Sequence, residues 1–354
     1  MEKLLYITAF PPNKRSGGQV YAINAIKDLS SKYVVDIVYF EYKDHELWQK
    51  LNGNIIAKFH PSYLNCIFHP FFYPTFTRRY NKRILDYINS IKCQYDVIYF
   101  DYSQVAIYSV FIEHPKKVIR CHDVIAQRFI RRKNMFVNMI KKNEKYILKS
   151  ADYIFVPSKK DALLIKEIYD LDAIATNEYI QDIKVSNVQS EVKNLTFFGL
   201  WSRPENIEGL RWFISEVFPL LTEDQKATLV VMGGGLSKKE EDSLLTAHGI
   251  GYLGFVEDSY TVLARSKAVI VPLFHGAGIK VKVLDSFTTG TPVIGTDIAF
   301  EGIPEIDGLI YKANSALEFA EQISNIEPMS FEDKIRLKSE FYREYNCNHL
   351  TDYI

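Results

Sequence analysis

Short apolar runs rich in β-branched and aromatic residues recur along this chain, each followed by a stretch with helical spacing, and this alternation restricts the fold more than any other feature. In the first half the runs expected as strands are 3–9, 34–40, 96–100, 117–120 and 152–156. Val34-Val35-Asp36-Ile37-Val38-Tyr39-Phe40 is typical, nearly continuous in apolar character, as a parallel strand covered on both faces requires. Helical stretches near 18–31, 75–92, 124–149 and 158–169 separate these runs. The rhythm is lost over about 173–193, a polar and broken stretch that reads as a linker. It restarts with strands expected at 194–199, 228–232, 250–254, 267–273 and 292–296, and helices at 206–221, 237–246, 258–265 and 279–289. In 206–221, Leu210, Phe213, Val217 and Leu220 fall on one helical face. The fold class that follows is α/β: two Rossmann-like, doubly wound domains in series. The 354 residues are enough to give each a core. The domains are expected at 1–175 and 190–330, with 331–354 a C-terminal helix crossing back to the first. Ligands of such sheets bind beyond the carboxyl ends of the strands, so two facing sheets make a cleft.

No segment is apolar for long enough to cross a membrane, and Leu4-Leu5-Tyr6-Ile7-Thr8-Ala9-Phe10 is too short for a signal peptide. Cys66, Cys93, Cys121 and Cys347 are scattered, without metal-ligand spacing, and read as isolated buried thiols of a reducing cytoplasm. Lysine plus arginine and aspartate plus glutamate balance at 43 each, but unevenly. Residues 1–190 hold 28 basic against 19 acidic, and 111–150 alone hold 11 against 3. A basic half points to an anionic partner or surface. Nucleic acid is not the partner expected, because no recognised binding motif accompanies the charge. A dinucleotide-dependent dehydrogenase is disfavoured, since no G-x-G-x-x-G follows the first strand.

The strongest chemical signal is Val271-Pro272-Leu273-Phe274-His275-Gly276-Ala277-Gly278-Ile279-Lys280-Val281-Lys282-Val283-Leu284-Asp285. A strand ends, Gly276 and Gly278 follow, and a helix is expected from about Ile279. Free amides at a helix start favour an anion, and glycine lets a phosphate approach the backbone. Lys280 and Lys282 add positive charge, as a departing diphosphate requires. Asp285 is suited to accept hydrogen bonds from ribose hydroxyls. Taken alone, the same pattern also describes an ordinary strand–helix turn with solvated lysines.

The flanking elements decide between these readings. Phe197-Phe198-Gly199-Leu200-Trp201-Ser202-Arg203-Pro204-Glu205-Asn206 comes first, then Gly251-Tyr252-Leu253-Gly254-Phe255-Val256-Glu257-Asp258. Gly290-Thr291-Pro292-Val293-Ile294-Gly295-Thr296 and Glu301-Gly302 follow the helix. This order resembles the nucleotide-binding half of the retaining glycosyltransferase family 4, of the GT-B fold, over about 190–305. The first half is similar through Phe10-Pro11-Pro12 and Ser16-Gly17-Gly18 after the first strand, and through Val118-Ile119-Arg120-Cys121-His122-Asp123 at the end of another. The resemblance implies a donor site of Gly17, Gly18, Arg203, Phe255, Val256, Gly276, Gly278, Ile279, Lys282, Asp285 and Glu301. His122 would face the donor sugar, and Lys280 would act at the leaving group. It also implies retention of configuration and no metal or other cofactor. The sequence departs from the family in four places. The first of the family's paired glutamates falls on Ala277, the second is the shorter Asp285, and the family's arginine and lysine fall at Leu200 and about Asn206. Lys280, with Lys282 or Arg203, is then expected to hold the diphosphate.

Two features concern the acceptor. Tyr63, Phe68, Phe71, Phe72, Tyr73 and Phe76 precede Arg78-Arg79-Tyr80 and Lys82-Arg83. In 124–149, Ile125, Phe129, Phe136, Ile140 and Ile147 are expected on one helical face, with Arg128, Arg131, Arg132, Lys133, Lys141, Lys142 and Lys145 around it. Aromatic and basic surfaces suit an anionic bilayer. The expectation is a glycosyltransferase of surface polysaccharide biosynthesis (O-antigen, capsule or exopolysaccharide), cytoplasmic and peripheral at the inner membrane face. It would use a nucleotide sugar and a saccharide or polyprenyl-linked saccharide acceptor. The alternatives are a non-catalytic glycosyltransferase-like partner, which the missing glutamate permits, and a sugar-nucleotide epimerase of the same fold.

Overall fold

The computed structural model describes residues 1–13, 17–42, 51–67, 69–177, 194–345 and 349–354. The chain divides into two compact units, Met1–Tyr179 with Asn346–Ile354, and Ile180–Tyr345. Phe68, Ser16, Cys347 and most of the expected linker lie outside the described residues.

In the first unit the apolar runs become strands β1 (Glu2–Thr8), β2 (Tyr33–Phe40), β3 (Asn54–Phe59), β4 (Val97–Asp101), β5 (Lys117–Arg120), β6 (Tyr153–Val156) and β7 (Ile174–Ala175). They form one sheet in the order β3-β2-β1-β4-β5-β6-β7, with every neighbouring pair parallel. Side chains alternate across it, so both faces are buried. Leu5, Ile7, Val38, Phe40, Ile98, Phe100 and Ile119 enter one core. Leu4, Tyr6, Ile37, Tyr39, Val97, Tyr99 and Val118 enter the other. Strands β3 and β7 were not expected. Both are sheet edges, and β3 is largely exposed, so neither needs the apolar run that marks a buried strand. Because β7 pairs with β6, the strand–helix rhythm extends to Ala175.

Two long helices expected here are each broken. Over 75–92 a turn at Pro74–Thr77 is followed by a separate helix at Lys82–Ile91, whose start is capped by Asn81 accepting from the Arg83 amide at 2.8 Å. Between them Arg79 is fully buried; its Nε donates to the Ala9 carbonyl at 3.2 Å, and its guanidinium lies 4.8 Å from the Phe10 ring centre. Helix α1 (Gly17–Leu29) precedes these. With Lys82–Ile91 as α2, the stretch 124–149 gives α3 (Ile125–Arg131) and α4 (Val137–Leu148), and α5 is Lys159–Tyr169. The break carries Lys133 at φ 49°, and the Asn134 side chain takes the Phe136 amide at 2.9 Å, competing with helix continuation. Ile125, Ile140 and Ile147 are buried, but Phe136 is exposed, so the expected single apolar face does not exist. Glu144 of α4 instead caps α3, accepting from the Ile125 and Ala126 amides at 3.0 and 2.9 Å.

The second unit repeats the plan with β8 (Asn194–Phe198), β9 (Leu229–Met232), β10 (Gly251–Tyr252), β11 (Ser266–Val271), β12 (Val293–Gly295) and β13 (Ile310–Lys312). Their order is β10-β9-β8-β11-β12-β13, again all parallel. The helix expected over 206–221 is α6 (Pro204–Trp212), then a π turn at Phe213–Val217 and a 3₁₀ turn at Phe218–Leu220. The wider turn shifts the face, so Leu210, Phe213 and Val217 are buried while Leu220 is exposed. The helix expected over 237–246 begins at Lys238–Glu240 and continues as a π turn at Glu241–Leu245 and a 3₁₀ turn at Thr246–His248. A short helical turn at Glu223–Lys226 and helices α7 (Ser259–Ala264), α8 (Val281–Phe287), α9 (Ala316–Asn325) and α10 (Phe331–Tyr345) complete the unit. Helix α10 stays with this unit, its Phe341 against Phe287 at 5.6 Å. Residues 349–354 group with the first unit, where the Leu350 amide donates to Asp28 of α1 at 2.9 Å. Of the cysteines, Cys121 is buried, but Cys66 is only half-buried and Cys93 is exposed, contrary to expectation.

Candidate functional site

The carboxyl ends of β8, β9, β11 and β12 gather the second unit's glycines and lysines. Gly199 follows β8, and the space a side chain would fill is occupied from two sides: a Cβ would come within 3.0 Å of Asn206 Nδ2 and 3.2 Å of Lys282 Nζ. Gly233, after β9, has φ 117°, and a Cβ there would run into the Gly199 carbonyl. Its amide donates to the Gly254 carbonyl at 2.7 Å, drawing the loop after β10 toward the same edge.

After β11 the chain runs through Gly276 at φ 143° and Gly278 at φ 67°, values that favour glycine at both. Helix α8 begins at Val281, later than the start near Ile279 that the sequence led us to expect. Lys280 occupies its N-cap in an extended conformation, so Ile279 and Lys280 belong to the loop. The two lysines then diverge. Lys280 folds back, its Nζ donating to the Gly278 carbonyl at 2.6 Å and lying 3.8 Å from Glu301 Oε2. Lys282 reaches the start of α6, where its Nζ donates to Asn206 Oδ1 at 2.6 Å. The Asn206 Nδ2 donates to the Leu200 carbonyl at 2.8 Å, which fixes the amide with its oxygen toward the lysine. Desolvation lowers the Lys282 pKa to about 7; Glu205 opposes the shift, and the charges of Arg203 and Lys280 add to it.

Asp285 lies one turn along α8. Its Oδ1 accepts from the Tyr260 hydroxyl of α7 at 3.2 Å. Desolvation raises its pKa to about 7 against the pull of that hydrogen bond. A lysine and a carboxylate both displaced toward neutrality on one short helix mark a functional site better than either alone. The structure therefore brings together Gly278, Lys280 and Glu301, with Lys282 near enough to feel the Lys280 charge, while Asp285, further along α8, meets Tyr260. Arg203 stands at the N-cap of α6 with its side chain exposed. Val256 is half-buried and Phe255 is 77% exposed, and no described contact joins either to the lysines. Tyr260 was not anticipated; a tyrosine at a helix start carries no signal that a carboxylate lies opposite. Asn206 was noted only as a departure from the family.

In the first unit the register places Thr8, Asp101 and Arg120, the last residues of β1, β4 and β5, side by side. Asp101 is fully buried. It accepts from Thr8 Oγ1 at 3.2 Å and pairs with Arg120 at 3.7 Å. His122, just beyond β5, has Nε2 2.8 Å from Asp101 Oδ1. Burial alone would raise the Asp101 pKa, but His122 and Arg120 outweigh it and hold the carboxyl below its ordinary value. The imidazole is thus fixed by its Nε2, which leaves Nδ1 as the nitrogen not engaged by Asp101. Tyr102, at φ 79°, stacks on the His122 ring at 3.8 Å between centres. Its hydroxyl fills the space beside Gly18 at the start of α1. Gly18 and His122 are thereby joined through Tyr102; Gly17 is the first residue of the same helix. Asp101 and Tyr102 escaped the sequence reading because one ends and the other follows a strand that looks purely structural.

Residues 192–327 match the family described as Glycosyl transferases group 1. A Klebsiella pneumoniae protein described as an uncharacterized 44.6 kDa protein in the cps region is 27% identical over 141 residues. That match spans 37% of this chain and 36% of the relative, so about a third of its length is shared. Among solved structures, HepE of Anabaena in complex with UDP is similar with a TM-score of 0.69 at 13% identity, covering 97% of this chain and 96% of that one. TarM of S. aureus, in a complex that includes UDP, gives 0.71 at 11%, covering 98% and 97%. Sucrose-phosphate synthase of Thermosynechococcus elongatus gives 0.69 at 12%, covering 97% and 96%. The chain has the two-domain GT-B fold of these structures, and its match to the Glycosyl transferases group 1 family lies in the second unit.

Proposed function

We propose that this protein is a glycosyltransferase that takes a sugar from a nucleotide-sugar donor, with retention and without a metal, in surface polysaccharide biosynthesis. The observation that carries this reading is the convergence of Lys282 and Asn206 over Gly199 at the carboxyl edge of a parallel sheet, within reach of the Lys280 charge and on the helix that carries Asp285. A diphosphate set there would meet a desolvated Lys282 side chain and favour its ammonium form, so charge that builds on the leaving group would be met by a cation with little water around it. Asp285, oriented by Tyr260, would take the ribose hydroxyls. His122, held by Asp101, would face the donor sugar. Lysine charge where a divalent cation would otherwise stand is the basis for proposing that no metal is needed. The UDP in the HepE and TarM structures supports a nucleotide donor. The cps-region relative supports a polysaccharide product, with a saccharide or polyprenyl-linked saccharide as acceptor. A cytoplasmic enzyme at the inner membrane face is the setting proposed.

The test is consumption of a panel of UDP-, GDP- and dTDP-sugars, with and without saccharide and polyprenyl-linked acceptors, in the presence of a chelator. Transfer from one donor, undiminished by EDTA and with the anomeric configuration kept, is expected. Epimerisation of a free donor would identify the epimerase alternative instead. Binding without turnover on any acceptor would identify the non-catalytic partner, which the alanine at 277 allows.

A further inference from the structure

The aromatic segment 63–76 and the basic stretch 124–149, far apart in sequence, form one surface of the first unit. The Tyr73 amide donates to Asn143 Oδ1 at 2.8 Å, and Asn143 Nδ2 donates to the Phe71 carbonyl at 3.0 Å, clamping the segment to α4. Tyr73 meets Phe129 of α3 edge-on at 5.1 Å and lies 5.8 Å from Phe136, and Phe72 lies 6.1 Å from Tyr146. The Ser62 amide donates to the Arg78 carbonyl at 2.8 Å and closes the excursion at its base. Some of these rings pack, but others face outward. Ile67 is 70% exposed, Phe71 85% and Met135 87%, and Tyr63, Leu64 and Tyr146 are exposed as well. Arg132, Lys133, Lys142 and Lys149 are exposed on the same two helices and their flanks.

Neither of these two segments adds an exposed carboxylate, and at the end of the neighbouring α5 the exposed Asp170 pairs with Lys166 and feels the charge of Lys145. Residues 61–85 contain no acidic residue. Residues 124–150 contain only Glu144, which is buried under the Ile125 and Ala126 amides. Asp123, just outside, lies 4.0 Å from Arg128. An exposed cluster of large apolar side chains marks an interaction site. A protein partner is ordinarily met with charges of both signs at the rim. Cations alone around apolar tips match anionic headgroups over acyl chains.

We propose that this surface docks on an anionic bilayer, with Ile67, Phe71 and Met135 inserted below the headgroups and the α3–α4 cations lying among them. The inference rests on the glycosyltransferase reading only in linking the surface to a membrane-borne acceptor. Binding is therefore read without donor or acceptor. The full chain is sedimented with vesicles of phosphatidylcholine, or of phosphatidylcholine and phosphatidylglycerol in equal parts, at low and high salt. The wild type is expected to bind the anionic vesicles at least about tenfold more tightly than the neutral ones. The variant Ile67→Ser/Phe71→Ser/Met135→Ser is expected to lose at least about tenfold on anionic vesicles with an unchanged melting temperature. Arg132→Glu/Lys133→Glu/Lys142→Glu is expected to lose as much. Three results would overturn the proposal: no dependence on lipid charge, undiminished binding by the serine variant, or a wild-type dimer that the serine variant makes monomeric. Donor turnover is measured separately, so failure here leaves the glycosyltransferase reading standing, and the converse holds.

Discussion

Desolvation leaves Lys282 with a pKa of about 7, so at pH 8 most of the free protein carries it neutral. A diphosphate beside it would favour the ammonium and raise that pKa. Nucleoside diphosphate binding at pH 8 is therefore expected to take up about one proton. Calorimetric titration in two buffers of different ionisation enthalpy measures this uptake, and Lys282→Met should abolish it. Asp285, with a pKa of about 7, is already largely ionised at pH 8 and does not obscure the result. The same shifts fix the stability of the empty site. Asp285 binds a proton in the folded chain between its unfolded value of about 4 and about 7, so its contribution falls as pH rises through that window. Lys282 lacks a proton that the unfolded chain holds between about 7 and about 10.4, so its contribution rises with pH there. Lys280 is held by its own loop and by Glu301, yet its charge still reaches the site. Lys280→Ala should lower turnover at least about tenfold, and near-normal turnover would remove it from the mechanism. The sequence showed two lysines in a glycine loop, but not that they point apart, because one residue of helix start changes which side each faces.

At the scale of elements, close backbone approaches hold the second unit's loops. Gly290, just beyond α8, has φ 69°, and a Cβ there would run into the Lys334 backbone of α10. Gly290→Ala is expected to cost about 2 kcal/mol or more, read as a lower denaturant midpoint; an unchanged midpoint would show that α10 yields freely. Buried parallel strands were legible from their apolar runs, since both faces of each must be covered. Edge strands β3, β7 and β13 were not, because an edge pairs through its backbone and leaves its side chains free. The broken helices were missed for a related reason. Apolar spacing continues across 132–136, and only the Asn134 side chain and the left-handed Lys133 stop the helix.

For the whole molecule, the alternation of strands and helices gave the fold, and the glycine–lysine loop pointed to the candidate site within the second unit. The partners that orient its chemistry came only with the structure, because Asn206, Tyr260 and Asp101 reach their targets from other elements. The uneven charge has a structural counterpart as well, since the first unit's cations gather on a surface free of exposed carboxylates between 124 and 150. The central claim is that the second unit's carboxyl edge holds a nucleoside diphosphate through Lys282 and Asp285. Calorimetric titration of UDP, GDP and dTDP into the wild type, Lys282→Met and Asp285→Asn tests it most directly. One nucleotide should bind the wild type, with affinity at least about tenfold lower in each variant and melting temperatures little changed. Equal affinity in all three proteins, or no binding of any nucleotide to the wild type, would contradict it.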